Sequence, residues 1–221
     1  MSRFCLIVEN TGQHQLVIIL TRIYNYIIRK LLLKVYMSFK DKEKWDTKYD
    51  GDSYITGKEP CEWLKFHTEF LIKGGKALDI AAGEGRNSVF AASLGYEVVS
   101  MDISEIALKK AQRLAKEKNV TITTLFTDLD NSSLPENEYD LVLCFNFLER
   151  KLSQEIRKTL KSGGILFYET FSIDYLKYSS FKKEWVLEQN ELLEVFNDLR
   201  ILRYQEAVSY THLTLPTNRE V

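Results

Sequence analysis

Apolar residues fall into two alternating rhythms from residue 76 onward. KALDIA (76–81) is a continuous apolar run ending at a glycine turn, which predicts a strand buried on both faces, as in a parallel sheet. RNSVFAASLG (86–95) has helical spacing and a glycine stop at Gly95. YEVVSMD (96–102) predicts the second strand, and Ser104 the N-cap of a helix over EIALKKAQRLAKEK (105–118). TITTLFTDL (121–129), rich in β-branched residues, predicts the third strand, and LVLCFNF (141–147) the fourth. A helix is expected over 150–161, stopped by Gly163-Gly164, with ILFYETF (165–171) as the fifth strand. NELLEVFND (190–198) predicts a helix capped by Asn190, and RILRYQEA (200–207) a sixth strand. Upstream, 40–49 and 61–73 are expected to be helices, the second closed by Gly74-Gly75. Strands alternating with helices predict an α/β fold, a Rossmann-like doubly wound parallel sheet.

Both ends differ in character from this span. Residues 16–36, LVIILTRIYNYIIRKLLLKVY, are apolar but broken by Arg22, Arg29, Lys30 and Lys34. A spanning helix needs ~20 apolar residues with few charges, and a secretory signal has its charges in another order. Two readings follow: a basic amphipathic helix on a membrane surface, or upstream sequence translated in error with Met37 as the true start. We favour the second, since residues from Met37 on read like the polar opening of a domain. At the other end, VSYTHLTLPT (208–217) resembles a transposon-derived sequencing adapter read in frame. The expected organisation is therefore an extension over 1–36, a domain over 37–207 cut short at its C-terminus, and an adapter-derived tail over 208–221. An ordinary C-terminal strand is the alternative for that tail. On the first reading His212 and Pro216 carry no role.

Composition narrows the function classes. The chain has 221 residues, 45% hydrophobic, and a net charge of −1. That suffices for one full core and advertises neither nucleic acid nor an anionic membrane as partner. Cys5, Cys61 and Cys144 are far apart and form no metal-binding spacing with the three histidines, so no metal is expected. A reducing cytoplasm fits this cysteine usage.

The candidate chemistry lies in ALDIAAGEGRNS (77–88). Gly83 and Gly85 allow close backbone approach to a ligand. Asp102, ending the second strand, is placed to accept from two ribose hydroxyls. NAD and S-adenosylmethionine fit equally so far. Asp79 and Glu84 decide, because a pyrophosphate against a helix N-terminus wants no acid there. The third glycine of a dinucleotide turn is also replaced by Ser88. S-adenosylmethionine carries a sulfonium and an ammonium, both attracted by carboxylates. Asp128 can accept from an adenine amino group, and Phe145 and Asn146 lie near the methyl donor. Each has a plainer alternative: Asp79 as cap of the next helix, Asp128 in a turn with Asp130 and Asn131, Phe145 as core. With their neighbours, the candidate cofactor residues are Asp79, Ala81, Ala82, Gly83, Glu84, Gly85, Arg86, Asn87, Asp102, Ile103, Asp128, Leu129, Phe145 and Asn146.

The segments KWDTKY, GKALDIAAGEGRNS, GYEVVSMDIS, TDLD, YDLVLCFNF, SGGILFYETF and NELLEVFNDLRILRYQE cover most of 43–206. Through them the chain resembles the class I S-adenosylmethionine-dependent methyltransferases, in particular the small tellurite-resistance-type enzymes and their bacterial relatives. Ala81 stands where many relatives have glycine, a change tolerated at negative φ. The resemblance implies seven strands, the last antiparallel and inserted between the fifth and sixth. The seventh is expected to be missing here by truncation, leaving an open slot and an aggregation-prone edge. It also implies in-line methyl transfer, for which a soft acceptor (reduced tellurium, selenium or a thiolate) needs no general base. Asn146, Glu149, Arg150, Glu169 and Thr170 are candidates on the acceptor side, with Trp45 and Tyr49 as a lid or, alternatively, as core aromatics. Glu169 has a second reading as a buried partner of Arg86. No catalytic residue is singled out.

The leading expectation is thus a cytoplasmic methyltransferase acting on a small molecule, with no nucleic-acid or membrane partner. The alternatives are a module that binds S-adenosylmethionine without turnover, and a nicotinamide-dependent oxidoreductase.

Overall fold

The computed structural model describes residues 14–72 and 74–206; the expectations for residues 1–13 and 208–221 lie outside them. The chain divides into two compact units, Met1–Lys44 and Trp45–Val221. The helix α1 (His14–Tyr49) begins in the first unit and ends in the second. In place of the short helix expected over 40–49, helical spacing continues unbroken from residue 14.

The second unit is built on five parallel strands in the order β3-β2-β1-β4-β5: β1 Lys76–Ile80, β2 Glu97–Asp102, β3 Thr123–Phe126, β4 Tyr139–Phe145 and β5 Leu160–Glu169. Alternate residues of the central strands serve two cores. Ala77, Leu141, Leu143 and Phe145 pack with Val89 and Ala91 of α3 (Arg86–Ser93) and with Ala111 and Leu114 of α4 (Glu105–Glu117). Leu78, Ile80, Val142 and Cys144 pack on the other side with Ile156 of α5 (Ser153–Thr159) and with Phe196, which follows α6 (Glu191–Val195). Helices on both faces explain why β1 and β4 are mostly apolar, with Leu141–Phe145 of β4 an unbroken apolar run. The first four strands and the α3 and α4 helices stand within a few residues of their expected places.

Three expectations are corrected. The helix expected over 61–73 is a single turn, α2 (Glu62–Phe66), followed by a 3-10 turn over Thr68–Phe70. Gly74 and Gly75 (φ 80° and 99°) turn the chain into β1 instead of capping that helix. Second, α5 ends at Thr159, and Gly163-Gly164 lie inside β5. There the register jumps from Tyr139↔Leu160 to Leu141↔Ile165, so the glycines mark an irregularity in a strand. Third, no strand forms over 201–206. In the expected seven-stranded order the sixth strand pairs only with the seventh, and among the described residues β5 has no outer neighbour. The segment bonds locally instead, with Glu206 accepting from the Asn190 N–H at 2.7 Å. Asn190 itself precedes α6 in a left-handed conformation (φ 61°) and makes no side-chain cap.

Gly85 sets the close approach of α3 to α4. Its φ is 81°, and a Cβ there would sit 2.5 Å from the Ala111 Cβ and 2.9 Å from its Cα. Gly85→Ala is expected to cost at least about 2 kcal/mol, from crowding plus the left-handed backbone, read as a lower urea midpoint. An unchanged midpoint would contradict this packing.

Candidate active site

The site lies at the carboxyl ends of β1, β2, β4 and β5, where a doubly wound sheet binds its ligands. The Ala81–Gly85 turn leaves β1, with the Ala82 N–H bonded to the Met101 carbonyl at 2.9 Å. Asp102 closes the turn: its carboxylate accepts from the Gly83 N–H and the Ser104 N–H, both at 2.8 Å. The Ile103 N–H also draws on this carboxylate, which keeps lone-pair capacity beyond these bonds. Burial raises the Asp102 carboxyl above its usual range, opposed by the Ser104 and Gly83 N–H donors. Ile103 follows it into the turn before α4. Ser104 caps α4 as expected, accepting from the Ala107 N–H at 3.1 Å.

Asp79 is 2% exposed. Its carboxylate accepts from the Ser88 hydroxyl at 2.6 Å, and Ser88 in turn accepts from Ser100 at 2.8 Å. Burial drives the Asp79 carboxyl up to about 7, against the Ser88 hydrogen bond and with the Asp102 charge reinforcing it. Ser88 is the third residue of α3, so this bond ties Asp79 to the first turn of that helix. Among the described residues, no Lys or Arg forms an ion pair with it.

Glu84 departs from its expected role. It does not hold a free negative charge at the turn: Lys110 Nζ lies 3.0 Å from one oxygen, and the Thr56 N–H and hydroxyl both donate to the other at 3.0 Å. Both side chains of the Glu84–Lys110 pair are almost fully buried. Burial pushes the Glu84 carboxyl up, but the bonds from Thr56 and Lys110 outweigh it and leave it below the usual range. Sequence reasoning missed this pair, although Lys110 falls in phase with the apolar Ala107, Ala111 and Leu114 of α4. Arg86 and Asn87 are likewise engaged. Arg86 donates to the Thr56 carbonyl at 2.9 Å and contacts Cys61 Sγ at 2.9 Å, while Asn87 Oδ1 accepts from the Cys61 N–H at 2.8 Å. Glu84, Arg86 and Asn87 thus tie the 53–61 segment to the turn.

The end of α1 also reaches the turn. Tyr49 is buried, and its hydroxyl would lie 2.9 Å from a Cβ placed on Gly83. Its phenol is pushed well above its ordinary range by burial, then by the Asp102 and Glu84 charges. Trp45 stacks on Tyr49 with centroids 5.8 Å apart. Asp46, which sequence reasoning passed over, accepts from the Ser104 hydroxyl at 2.6 Å. This gives the WDTKY stretch a purpose: Asp46 holds the start of α4 while Tyr49 covers Gly83.

Alone, this geometry describes a glycine turn with a buried acid behind it and an aromatic cover. The model of the family described as tellurite resistance protein TehB matches residues 38–219. The chain belongs to that family. It is 30% identical over 152 residues to a TehB of Haemophilus influenzae described as a probable S-adenosyl-L-methionine-dependent methyltransferase, covering 65% of this chain and 52% of that one. The chain spans about half the length of the curated TehB proteins it matches. The crystal structure of Haemophilus influenzae TehB superposes with a TM-score of 0.59 at 23% identity, covering 78% of this chain and 60% of that one. The PH0226 protein of Pyrococcus horikoshii OT3 gives 0.53 at 23% identity, over 62% and 78%. The fold is the Rossmann-like sheet of class I methyltransferases.

The other candidates of this TehB-family chain divide by place. Asp128 sits in the turn considered for it, accepting from the Asp130 N–H at 3.1 Å and from the Asn131 side chain. Leu129 and Phe145 are buried core residues. Asn146 is exposed at the end of β4 with φ 57°, and its N–H donates to the Glu169 carbonyl at 2.7 Å. Burial raises the Glu169 carboxyl, and the nearby Arg86 guanidinium pulls it back. Thr170 follows, half-buried. Glu149 caps the short turn after β4, accepting from the Lys151 N–H at 3.0 Å. Arg150 is a staple: it binds Glu191 at 2.6 and 2.9 Å and the Glu184 and Val186 carbonyls. It thereby fastens the 171–187 segment, whose Phe171, Tyr175 and Phe181 rings pack at 4.5–5.1 Å.

Ala81 does not meet the condition set for it, since its φ is 53°. A left-handed conformation costs an L-residue about 1–2 kcal/mol. Ala81→Gly is expected to stabilise the chain by about 1 kcal/mol, raising the thermal midpoint by roughly 2–4 °C. A lower midpoint would contradict the left-handed assignment.

Proposed function

We propose that this chain binds S-adenosylmethionine at the 79–85 turn and directs methyl transfer to a small, soft acceptor. The observation that carries the reading is Asp79: a buried acid at the end of β1, bonded to the Ser88 hydroxyl and, among the described residues, in no ion pair. Such a group favours a cationic ligand, and a dinucleotide pyrophosphate would face it unfavourably. With Glu84 spent on Lys110, the case against a dinucleotide rests on Asp79 and on Ser88 in place of a third glycine. The family membership supports the same reading.

The chain's residues fit such a cofactor. Gly83 brings the turn's backbone under the Tyr49 hydroxyl, while Gly85 serves the packing of α3 on α4 and not a ligand surface. Asp102 keeps lone pairs for ribose hydroxyls, and Tyr49 covers the turn and excludes water. The cofactor supplies an activated methyl group, whose bond to sulfur breaks as the bond to the acceptor forms. The protein's part is to align the acceptor in line and keep water out.

On the acceptor side Glu149 and Arg150 are engaged in local structure, and Glu169 is a carboxyl raised by burial, the direction that suits a proton acceptor. The family's description favours a tellurite- or selenite-type or thiol acceptor, which needs no general base. Turnover assayed as S-adenosylhomocysteine release should appear with reduced selenite, reduced tellurite or a simple thiol. Faster methylation of a catechol or amine would contradict the acceptor class.

A further inference from the structure

The first unit presents an unpartnered helix face. In α1, Ile27, Ile28, Leu31, Leu32, Val35 and Phe39 are exposed, with Val35 at 67% and Leu32 at 64%. At ~100° per residue these six fall within one arc of ~140° that holds no charged position. Arg29, Lys30 and Lys40 lie outside it. Between Glu9 and Asp41 the sequence has five basic residues, Arg22, Arg29, Lys30, Lys34 and Lys40, and no acid. No described helix is long and apolar enough to cross a membrane.

We propose that residues 14–40 form an interfacial helix that docks on an anionic lipid surface. The apolar arc enters the boundary between headgroups and acyl chains, and the basic side chains extend to the phosphates. Charge chooses this occupant. A second copy would bring two basic helices together with no acid on either to pair across the seam, whereas anionic lipid complements the whole segment. The surface lies outside the catalytic unit, so the proposal stands independently of the cofactor reading. It departs from the expectation of no membrane partner and gives form to the reading not favoured from sequence.

The test uses the full 221-residue chain. It is sedimented with vesicles of phosphatidylcholine alone or mixed with phosphatidylglycerol, at low and high salt. Binding to the anionic vesicles should exceed binding to neutral ones by at least ~10-fold and weaken with salt. It should fall by a similar factor in Arg29→Glu/Lys30→Glu and in Leu31→Glu/Val35→Glu, with helix content unchanged by circular dichroism. Equal binding to both vesicle types, or binding insensitive to either variant, would overturn the proposal. So would concentration-dependent dimers that Leu31→Glu/Val35→Glu abolishes in a chain that ignores vesicles. An intact mass from native cells that begins at Met37 would also overturn it, since the helix would then not be made.

Discussion

Glu84→Gln is expected to destabilise the chain by about 3–5 kcal/mol, the cost of leaving a buried ammonium without its counter-charge. Lys110 is 2% exposed, and its other bond is to a single carbonyl, that of Ser53 at 2.7 Å. A small domain has only about 5–15 kcal/mol in hand, so this change alone removes a large share. The double variant Glu84→Gln/Lys110→Met should recover most of the loss, because it removes the stranded charge as well as the pair. Urea unfolding of the native chain, Glu84→Gln, Lys110→Met and the double variant tests this. If the double variant is as unstable as the sum of the singles, the two side chains do not form the pair described. The Thr56 bonds to the same carboxylate predict that Glu84→Gln also loosens the 53–58 segment, detectable as faster amide exchange there.

Asp79→Asn is expected to separate stability from binding. The native Asp79 carboxyl titrates near 7 in the folded chain, raised by burial, against an ordinary value of 3.8. The folded chain therefore holds a proton that the unfolded chain has lost over that window. Stability falls as pH rises from the ordinary carboxylate range to about 7, and the full penalty remains above it. The substitution, isosteric and neutral, should accordingly raise the thermal midpoint at pH 8 and change it little near pH 4. Binding of S-adenosylmethionine should instead weaken roughly 10- to 100-fold, the range for losing a hydrogen bond to a charged group. In the native chain that affinity should rise as pH rises through 7, with proton release on binding below it. Calorimetry in buffers of different ionisation enthalpy reads the proton directly. A pH-independent affinity would mean that Asp79 does not meet the ligand's positive charge.

Much of the frame was legible in sequence because burial on two faces leaves largely apolar runs, unbroken at Leu141–Phe145 and interrupted in β1 only by Asp79 after Lys76. The Ser104 cap was legible for a local reason, since its partner is three residues away. What was not legible depended on distant partners. Glu84 reads as a free charge until Lys110, 26 residues on, is placed beside it. Asp46 shows its role only against Ser104, 58 residues away. Gly163-Gly164 read as a helix stop because glycine pairs serve both ends of helices and strand irregularities, and local sequence does not separate the two. Residues 200–207 have strand-like composition, but a strand needs a neighbour, and the seventh strand expected between it and β5 is not found among the described residues. At the site itself, the glycine turn and the buried acids Asp79 and Asp102 stand where the motif put them, and Asp128 stands in a turn and Phe145 in the core, the plainer positions considered for them.

The central claim is that the turn between β1 and α3 holds S-adenosylmethionine and not a dinucleotide. The most direct measurement is calorimetric titration of the folded chain with S-adenosylhomocysteine, with NAD run identically. Saturable binding of S-adenosylhomocysteine at micromolar concentrations is expected, with no heat from NAD. Binding of NAD with none of S-adenosylhomocysteine would contradict it.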